Sequence, residues 1–303
     1  MRAGRRTVAI VWLAAGVAFS IRAAANRRAI LRGLRTDQHH RADRSPAPGT
    51  ARLSVIIPAY GEAERIGGTI AALRAALASI DGDGGVEIIV VDDGSTDGTS
   101  EAARAGGADA IVALHPNRGK GAAVRAGMLA AQGRTVAFTD ADLSYAPDQI
   151  LRLLAEVEAG WDVVVGSRKH IETNVLVRGR RVRELSGRVF NLLTLGVLRG
   201  QYRDTQCGLK AFRSDVARRL FSRSRVDGFA FDVELFHLIE RYRLSLLEVP
   251  VHLVNSKTST VQVRAEGVRM IRDLFRVRRW ASEGAYDLGA EPDAVPPLRS
   301  SAK

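Results

Sequence analysis

Asp140 and Asp142 stand one residue apart at the end of the apolar run Val136-Ala137-Phe138-Thr139. Upstream, the run Val90-Val91 ends in Asp92-Asp93-Gly94-Ser95. As the ends of neighbouring parallel strands, these carboxylates would converge on one crevice, the place where open α/β sheets bind ligands. Oxygen ligands in a short loop suit Mg²⁺ or Mn²⁺ shared with substrate phosphates, so the chain reads as a handler of nucleotide diphosphates. A solvated turn is the competing reading of Asp140 and Asp142, and a helix cap that of Thr96 or Asp97. Asp92 and Asp93 need something positive or hydrogen-bonding beside them, because adjacent carboxylates repel.

Two further segments carry usable groups. Ile56-Ile57-Pro58-Ala59-Tyr60-Gly61-Glu62 is a strand end followed by a loop, with an aromatic face to stack on a base and a carboxylate to accept from a base N–H or a ribose hydroxyl. Tyr60 could equally pack on the sheet edge. Asn117-Arg118-Gly119-Lys120-Gly121 opens a helix, where backbone N–H groups and Lys120 can meet an anion. It is neither a Walker A loop nor a dinucleotide fingerprint, which argues against ATPases and dehydrogenases.

The elements that must position these groups follow from periodicity. Strands are predicted at 53–57, 86–91, 110–114, 135–138 and 162–165, with helices at 64–78, 100–105, 122–131 and 149–159 between them. Such alternation implies an α/β, doubly wound, mostly parallel sheet. Further helices are predicted near Phe231, over 178–199 and over 264–281. The last two interleave Arg with apolar residues, and read either as core helices with a basic face or as interfacial helices on lipid head groups. From Ser282 onward, Pro, Ala and mixed charge predict a disordered tail, 282–303.

The formal net charge is +12, and nearly all of the positive charge is Arg, since Lys occurs only at 120, 169, 210, 257 and 303. No zinc-finger, RRM or helix-turn-helix spacing accompanies it, so nucleic acid is excluded as the expected partner and a membrane surface is preferred. Cys207 is the only cysteine, so no internal disulfide forms. Val8 to Ile21 carries no charge and is flanked by Arg on both sides. It is short for a span, which takes roughly 17–25 residues, but Arg22 can snorkel and extend it. The expectation is a membrane anchor over 1–35 and a flexible linker over 36–52, with a cleaved signal peptide and a monotopic helix as competitors. More Arg follows the segment than precedes it, which places the catalytic part in the cytoplasm.

Taken in order, Val55-Ile56-Ile57-Pro58-Ala59-Tyr60, Val91-Asp92-Asp93-Gly94-Ser95 and Asp140-Ala141-Asp142 resemble the family 2 inverting glycosyltransferases of the GT-A fold. Gly166-Ser167-Arg168, the string Asp204-Thr205-Gln206-Cys207-Gly208-Leu209-Lys210-Ala211-Phe212 and Phe229-Ala230-Phe231-Asp232-Val233-Glu234 resemble the dolichyl-phosphate β-glucosyltransferase branch and its bacterial polyprenyl-phosphate relatives. The resemblance covers about 53–281, and implies a GT-A nucleotide-diphospho-sugar transferase domain there.

That resemblance implies donor contacts for Pro58, Tyr60, Glu62, Asp92 and Asp93, with Lys120 near the diphosphate. It implies Asp140 at the donor sugar or ribose and Asp140 and Asp142 at a Mg²⁺ or Mn²⁺ ion. Ser144 stands where mannosyl relatives often carry Gln, so UDP-glucose is favoured over GDP-mannose as donor. A polyprenyl phosphate acceptor would be held by Arg168 and by Arg178, Arg180 and Arg181, with Gln206, Lys210 and Lys257 also on the acceptor side. Asp232 and Glu234 would orient the sugar or assist the acceptor, helix capping being the other reading of Asp232. Competing functions are transfer to a sugar hydroxyl in cell-envelope glycan synthesis, with Asp232 as an obligatory base, and a catalytically silent nucleotide-sugar-binding scaffold at the membrane. The chain lacks the Gln of the Gln-x-x-Arg-Trp motif before Trp280, which argues against a processive synthase.

Overall fold

A computed structural model of the chain describes residues 45–80, 84–168, 197–198, 200, 202, 204–254 and 263–288, the side chains of 263–268 excepted. The expected anchor, the basic run at 178–196, Arg178, Arg180, Arg181, Lys257 and the last part of the expected tail lie outside the described residues.

The first half of the domain alternates as predicted: β1 (Ala51–Ala59), α1 (Ala63–Ala76), β2 (Val86–Asp92), α2 (Thr99–Ala105), β3 (Ala110–Ala113), α3 (Lys120–Ala130), β4 (Gly133–Phe138), α4 (Gln149–Glu158) and β5 (Val163–Ser167). The second half adds β6 (Lys210–Arg213), α5 (Ser214–Phe221), α6 (Phe231–Arg241), β7 (Leu246–Pro250) and α7 (Val263–Ser282). The seven strands form one sheet in the order β3-β2-β1-β4-β6-β5-β7. All neighbours are parallel except β6, which runs antiparallel to both β4 and β5. That strand breaks the expected run of parallel pairs and delivers the Asp204–Lys210 string to the sheet centre.

The central strands are buried on both faces, because helices cover both sides of a parallel sheet. Leu53, Val55 and Ile57 of β1 point into one apolar layer with α1 and α4. Ile56 points into the other, with Phe138, Phe212 and Phe231. After β1 the chain builds outward through β2 and β3, and β4 then returns to the other side of β1. The crevice beyond the carboxyl ends of β1 and β4 lies at this reversal, where ligands bind in such sheets.

Two boundaries differ from expectation. Residues 45–52 are not free linker: Thr50 N donates to Gln132 O at 2.9 Å, the Arg213 guanidinium donates to Ser45 O at 2.6 Å, and β1 already begins at Ala51. The segment just after Ser282 is not loose tail either, since Tyr286 is fully buried and its hydroxyl donates to Glu234. Among the described residues, no helix is long and apolar enough to cross a membrane.

Candidate active site

A cleft of about 900 Å³ opens at the strand ends, between the loops after β1, β2 and β4 on one side and α7 with the loop before α6 on the other. Pro58, Tyr60 and Glu62 line it from β1, Asp93 from β2, Lys120 from α3, and Asp140 and Asp142 from β4. Tyr60 is 60% exposed at the cleft rather than packed on the sheet edge.

The β4 loop is tightly determined. Lys120 Nζ donates to Asp140 Oδ1 at 2.5 Å. The other carboxylate oxygen of Asp140 rests on Gly208, where an added Cβ would lie 2.0 Å from it. Any side chain at 208 would displace the Asp140 carboxylate, which explains the glycine in the Asp204–Gly208 string. Leu143 takes a positive φ of 48°, a costly conformation for a residue with a Cβ and a branched side chain. The turn is held by Leu143 N donating to Asp140 O, and by Ser144 N and Oγ donating to Asp142 Oδ1 at 2.9 and 2.7 Å.

The β2 carboxylates resolve their repulsion separately. Asp92 accepts from Ser95 N at 2.9 Å and Ser100 Oγ at 2.5 Å, which closes the loop leading to α2. Asp93 accepts from Arg118 N at 2.9 Å and Gly119 N at 2.7 Å and so fixes the entry to α3. Burial raises its pKa above the ordinary carboxylate value, and these two donors offset part of that rise. Both aspartates thus hold the walls of the cleft with their carboxylates. Glu62 pairs with Arg65 at 2.7 Å, and its pKa is raised by burial, against the Arg65 charge and with help from Asp142 and Asp97.

Lys120 sits among carboxylates. Burial alone would lower its pKa, but Asp140, Asp232 and Asp142 outweigh burial and raise it, so the ammonium stays charged. Lys210 is placed differently from the acceptor contact expected of it: it is 1% exposed, and its Nζ donates to Asp232 Oδ1 at 2.6 Å and to Cys207 O at 2.5 Å. An ammonium enclosed in this way supports the interior and does not reach a substrate phosphate. Burial raises the Asp232 pKa, countered by Lys210 and Lys120. Asp140, Lys120, Asp232 and Lys210 thus alternate in sign from the cleft wall into the interior.

Glu234 requires correction as a catalytic candidate. It is wholly buried, and its carboxylate accepts from Arg225 N at 2.8 Å, Val226 N at 2.9 Å and the Tyr286 hydroxyl at 2.6 Å. It fixes the loop before α6, and its pKa is raised by burial against these donors. Arg168, at the end of β5, forms a two-pronged pair with Asp204, Nε to Oδ2 at 2.6 Å and a terminal nitrogen to Oδ1 at 2.8 Å. Gln206 follows in the same loop, where its Nε2 is buried with no hydrogen-bond partner among the described residues. Neither Arg168 nor Gln206 is among the described residues lining the cleft.

Groups that the sequence reading did not assign to the site complete the cleft: Arg225, and Arg269, Arg272 and Arg276 of α7. Glycines let the wall approach: at Gly121 an added Cβ would meet Val226 O at 2.4 Å, so α3 can start directly against the 226–228 loop. The signal for the α7 arginines was present as a spacing of three and four residues, which puts them on one helix face.

Comparison with known proteins agrees with this geometry. Residues 54–221 match the model of glycosyl transferase family 2. A dolichyl-phosphate β-glucosyltransferase of Drosophila melanogaster is 35% identical over 240 residues, 74% of each chain. A human protein of the same name is 31% identical over 258 residues, 79% of this chain and 78% of the relative. Among solved structures, glucosyl-3-phosphoglycerate synthase from Mycobacterium tuberculosis, in complex with Mn²⁺, uridine diphosphate and glucosyl-3-phosphoglycerate, superposes with a TM-score of 0.58 at 23% identity, covering 75% of this chain and 80% of that one. The mannosyl-3-phosphoglycerate synthase of Rubrobacter xylanophilus gives 0.56 at 22% identity, covering 81% and 79%. With the GT-A sheet, the strand-end carboxylates and these matches in agreement, the chain is a glycosyltransferase and belongs to glycosyl transferase family 2.

Proposed function

We propose that the protein transfers glucose, with inversion, from UDP-glucose to a polyprenyl phosphate of the dolichyl type, using Mg²⁺ or Mn²⁺, with its catalytic unit on the cytoplasmic face of a membrane. The observation that carries this reading is the cleft itself: carboxylates and Lys120 at the strand ends face a wall of arginines, in a chain whose relatives named dolichyl-phosphate β-glucosyltransferase align over about three quarters of it.

On this reading Tyr60 stacks on the base and Glu62 accepts from the ribose or the base. Lys120, held by Asp140 and kept charged by its neighbours, meets the diphosphate. The Asp142 carboxylate, oriented by Ser144, presents hard oxygen to a divalent cation, and among the described residues no three His, Cys, Asp or Glu side chains gather round one point. The donor set fits an ion that takes its remaining ligands from diphosphate and water. When bound, such an ion supplies Lewis-acid neutralisation of the leaving diphosphate. A phosphate monoester already carries negative charge at neutral pH, so an oxygen of the acceptor attacks the anomeric carbon without a general base while the bond to the diphosphate breaks. Asp232, paired with Lys210, then serves to hold Lys120 charged. For the membrane, Ile271 and Phe275 are exposed on α7 beside Arg278 and Arg279, a surface suited to the lipid interface.

The test is mass spectrometry of lipid products formed from a panel of nucleotide sugars, GDP-mannose included, with a short polyprenyl phosphate. Hexosylated lipid phosphate from UDP-glucose is expected. Transfer only to sugar hydroxyls would replace the acceptor assignment, and a protein that binds donor without turning it over would be a scaffold.

A further inference from the structure

α7 has three faces. At its helical spacing Met270, Leu274, Val277 and Ala281 form one stripe, and Leu274 and Val277 are buried in the core. Ile271, Phe275 and Arg278 form a second, where Phe275 is 68% exposed. Arg269, Arg272, Asp273, Arg276 and Trp280 form the third, and the first four of these line the cleft. A helix serving only as a lipid-surface anchor needs two faces, one for the core and one for lipid.

The third face is preorganised for an anion. The guanidinium groups of Arg276 and Arg225 lie 5.1 and 5.7 Å from the centre of the Trp280 ring. Stacking on a ring restrains a guanidinium by its face and fixes the plane in which its N–H groups can fork onto phosphate oxygens. Glu234 fixes the Arg225 backbone through the N–H it accepts. Asp273 faces Arg276 at 3.4 Å, whereas Arg272 forms no hydrogen bond or ion pair among the described residues. Arg272 and Arg276 together carry more positive charge than the single Asp273 carboxylate beside them offsets, which favours an anionic ligand. The strand-end side already has Lys120 and Asp142 for a diphosphate, so the α7 side is left for a second phosphate.

We propose that Arg272 and Arg276, on the cleft face of α7, form the seat of the acceptor's phosphate group, an inference that rests on the polyprenyl-phosphate reading above. The exposed stripe with Ile271 and Phe275 is adjacent on the same helix, so a phosphate seated there leaves its prenyl chain pointing to the outside.

Steady-state kinetics with UDP-glucose and a water-soluble short prenyl phosphate test the assignment. Arg272→Gln and Arg276→Gln should each raise the acceptor KM by about tenfold or more, the loss expected for one charge-assisted hydrogen bond, and leave the donor KM unchanged. Arg272→Lys should recover part of the loss, since a point charge still attracts phosphate. Arg104→Gln, on the exposed part of α2, controls for the same change of net charge and should alter neither constant. Wild-type protein that never uses a prenyl phosphate would refute the functional reading. Wild-type turnover with unchanged acceptor KM in both glutamine variants would refute this inference alone. A rise in donor KM with the acceptor KM constant would also overturn it, by assigning the arginines to the donor diphosphate. Circular-dichroism melting of each variant identifies a misfolded one, and Arg272, being exposed, gives the decisive case.

Discussion

Lys210 and Asp232 form a buried ion pair, Nζ to Oδ1 at 2.6 Å, with the lysine 1% and the aspartate 6% exposed. Removing one member leaves a charge in the interior, which typically costs about 3–5 kcal/mol, whereas removing both is far milder. Lys210→Met is therefore expected to lower unfolding free energy in urea by that amount, and Lys210→Met combined with Asp232→Asn to recover most of it. Additive losses in the double variant would show that the pair is not coupled.

Gly208 provides the next prediction. Its backbone abuts the Asp140 carboxylate, and Gly208→Ala would place a Cβ 2.0 Å from Oδ2. The carboxylate must shift and carry Lys120 with it. A displacement of about 1 Å in a positioned group can cost on the order of a hundredfold in rate, so kcat/KM should fall to that degree while the far-UV spectrum is retained. Wild-type activity in the Gly208→Ala variant would mean that Asp140 has no fixed task.

The chemistry-bearing strand ends were legible in the sequence because they combine two strong signals, an apolar run of period consistent with a buried strand and an acidic stop. All five strands predicted up to Val165 are present, with shifts of a few residues at the ends. The antiparallel β6 was not legible: Lys210-Ala211-Phe212-Arg213 is four residues long and begins with a lysine that only tertiary pairing with Asp232 makes tolerable in the interior. Glu234 looked catalytic because a carboxylate beside Asp232 on one helix is a plausible acid or base, and nothing local reveals that Tyr286, 52 residues away, closes over it. The cleft-facing arginines of α7 were not legible as such: amphipathicity left a core helix with a basic face and an interfacial helix as the two readings, because it distinguishes one apolar side from one polar side, not a third face turned to a cleft.

Glu234 has a pH signature of its own. Burial raises its folded pKa above the ordinary 4.5, although three donors partly offset the rise. A carboxyl with a raised folded pKa contributes stability that is complete below the unfolded value and is lost as pH rises through the folded one. In acid Glu234 is protonated, so Glu234→Gln, its neutral isostere, should be close to wild type in stability. As pH rises above 4.5 the wild type should lose stability through ionisation of the buried carboxyl, a loss the glutamine variant does not share. Urea titrations of both at several pH values check the trend, and a wild type that gains stability over the variant as pH rises would contradict it.

Asp142→Asn removes one anionic oxygen from the proposed cation site without touching the core. Transfer should be nearly abolished with an unchanged melting temperature, and EDTA should silence the wild type until Mn²⁺ or Mg²⁺ is restored. Full activity in chelator would end the metal assignment.

The central claim is that an acceptor phosphate attacks the anomeric carbon of glucose from the face opposite the leaving diphosphate. NMR of the lipid product made from UDP-glucose labelled with ¹³C at C1 tests it most directly. The account predicts an anomeric carbon coupled to a single phosphorus, with the large H1–H2 coupling of a β-glucoside. An α-configured product, or an anomeric carbon with no coupling to phosphorus, would contradict it.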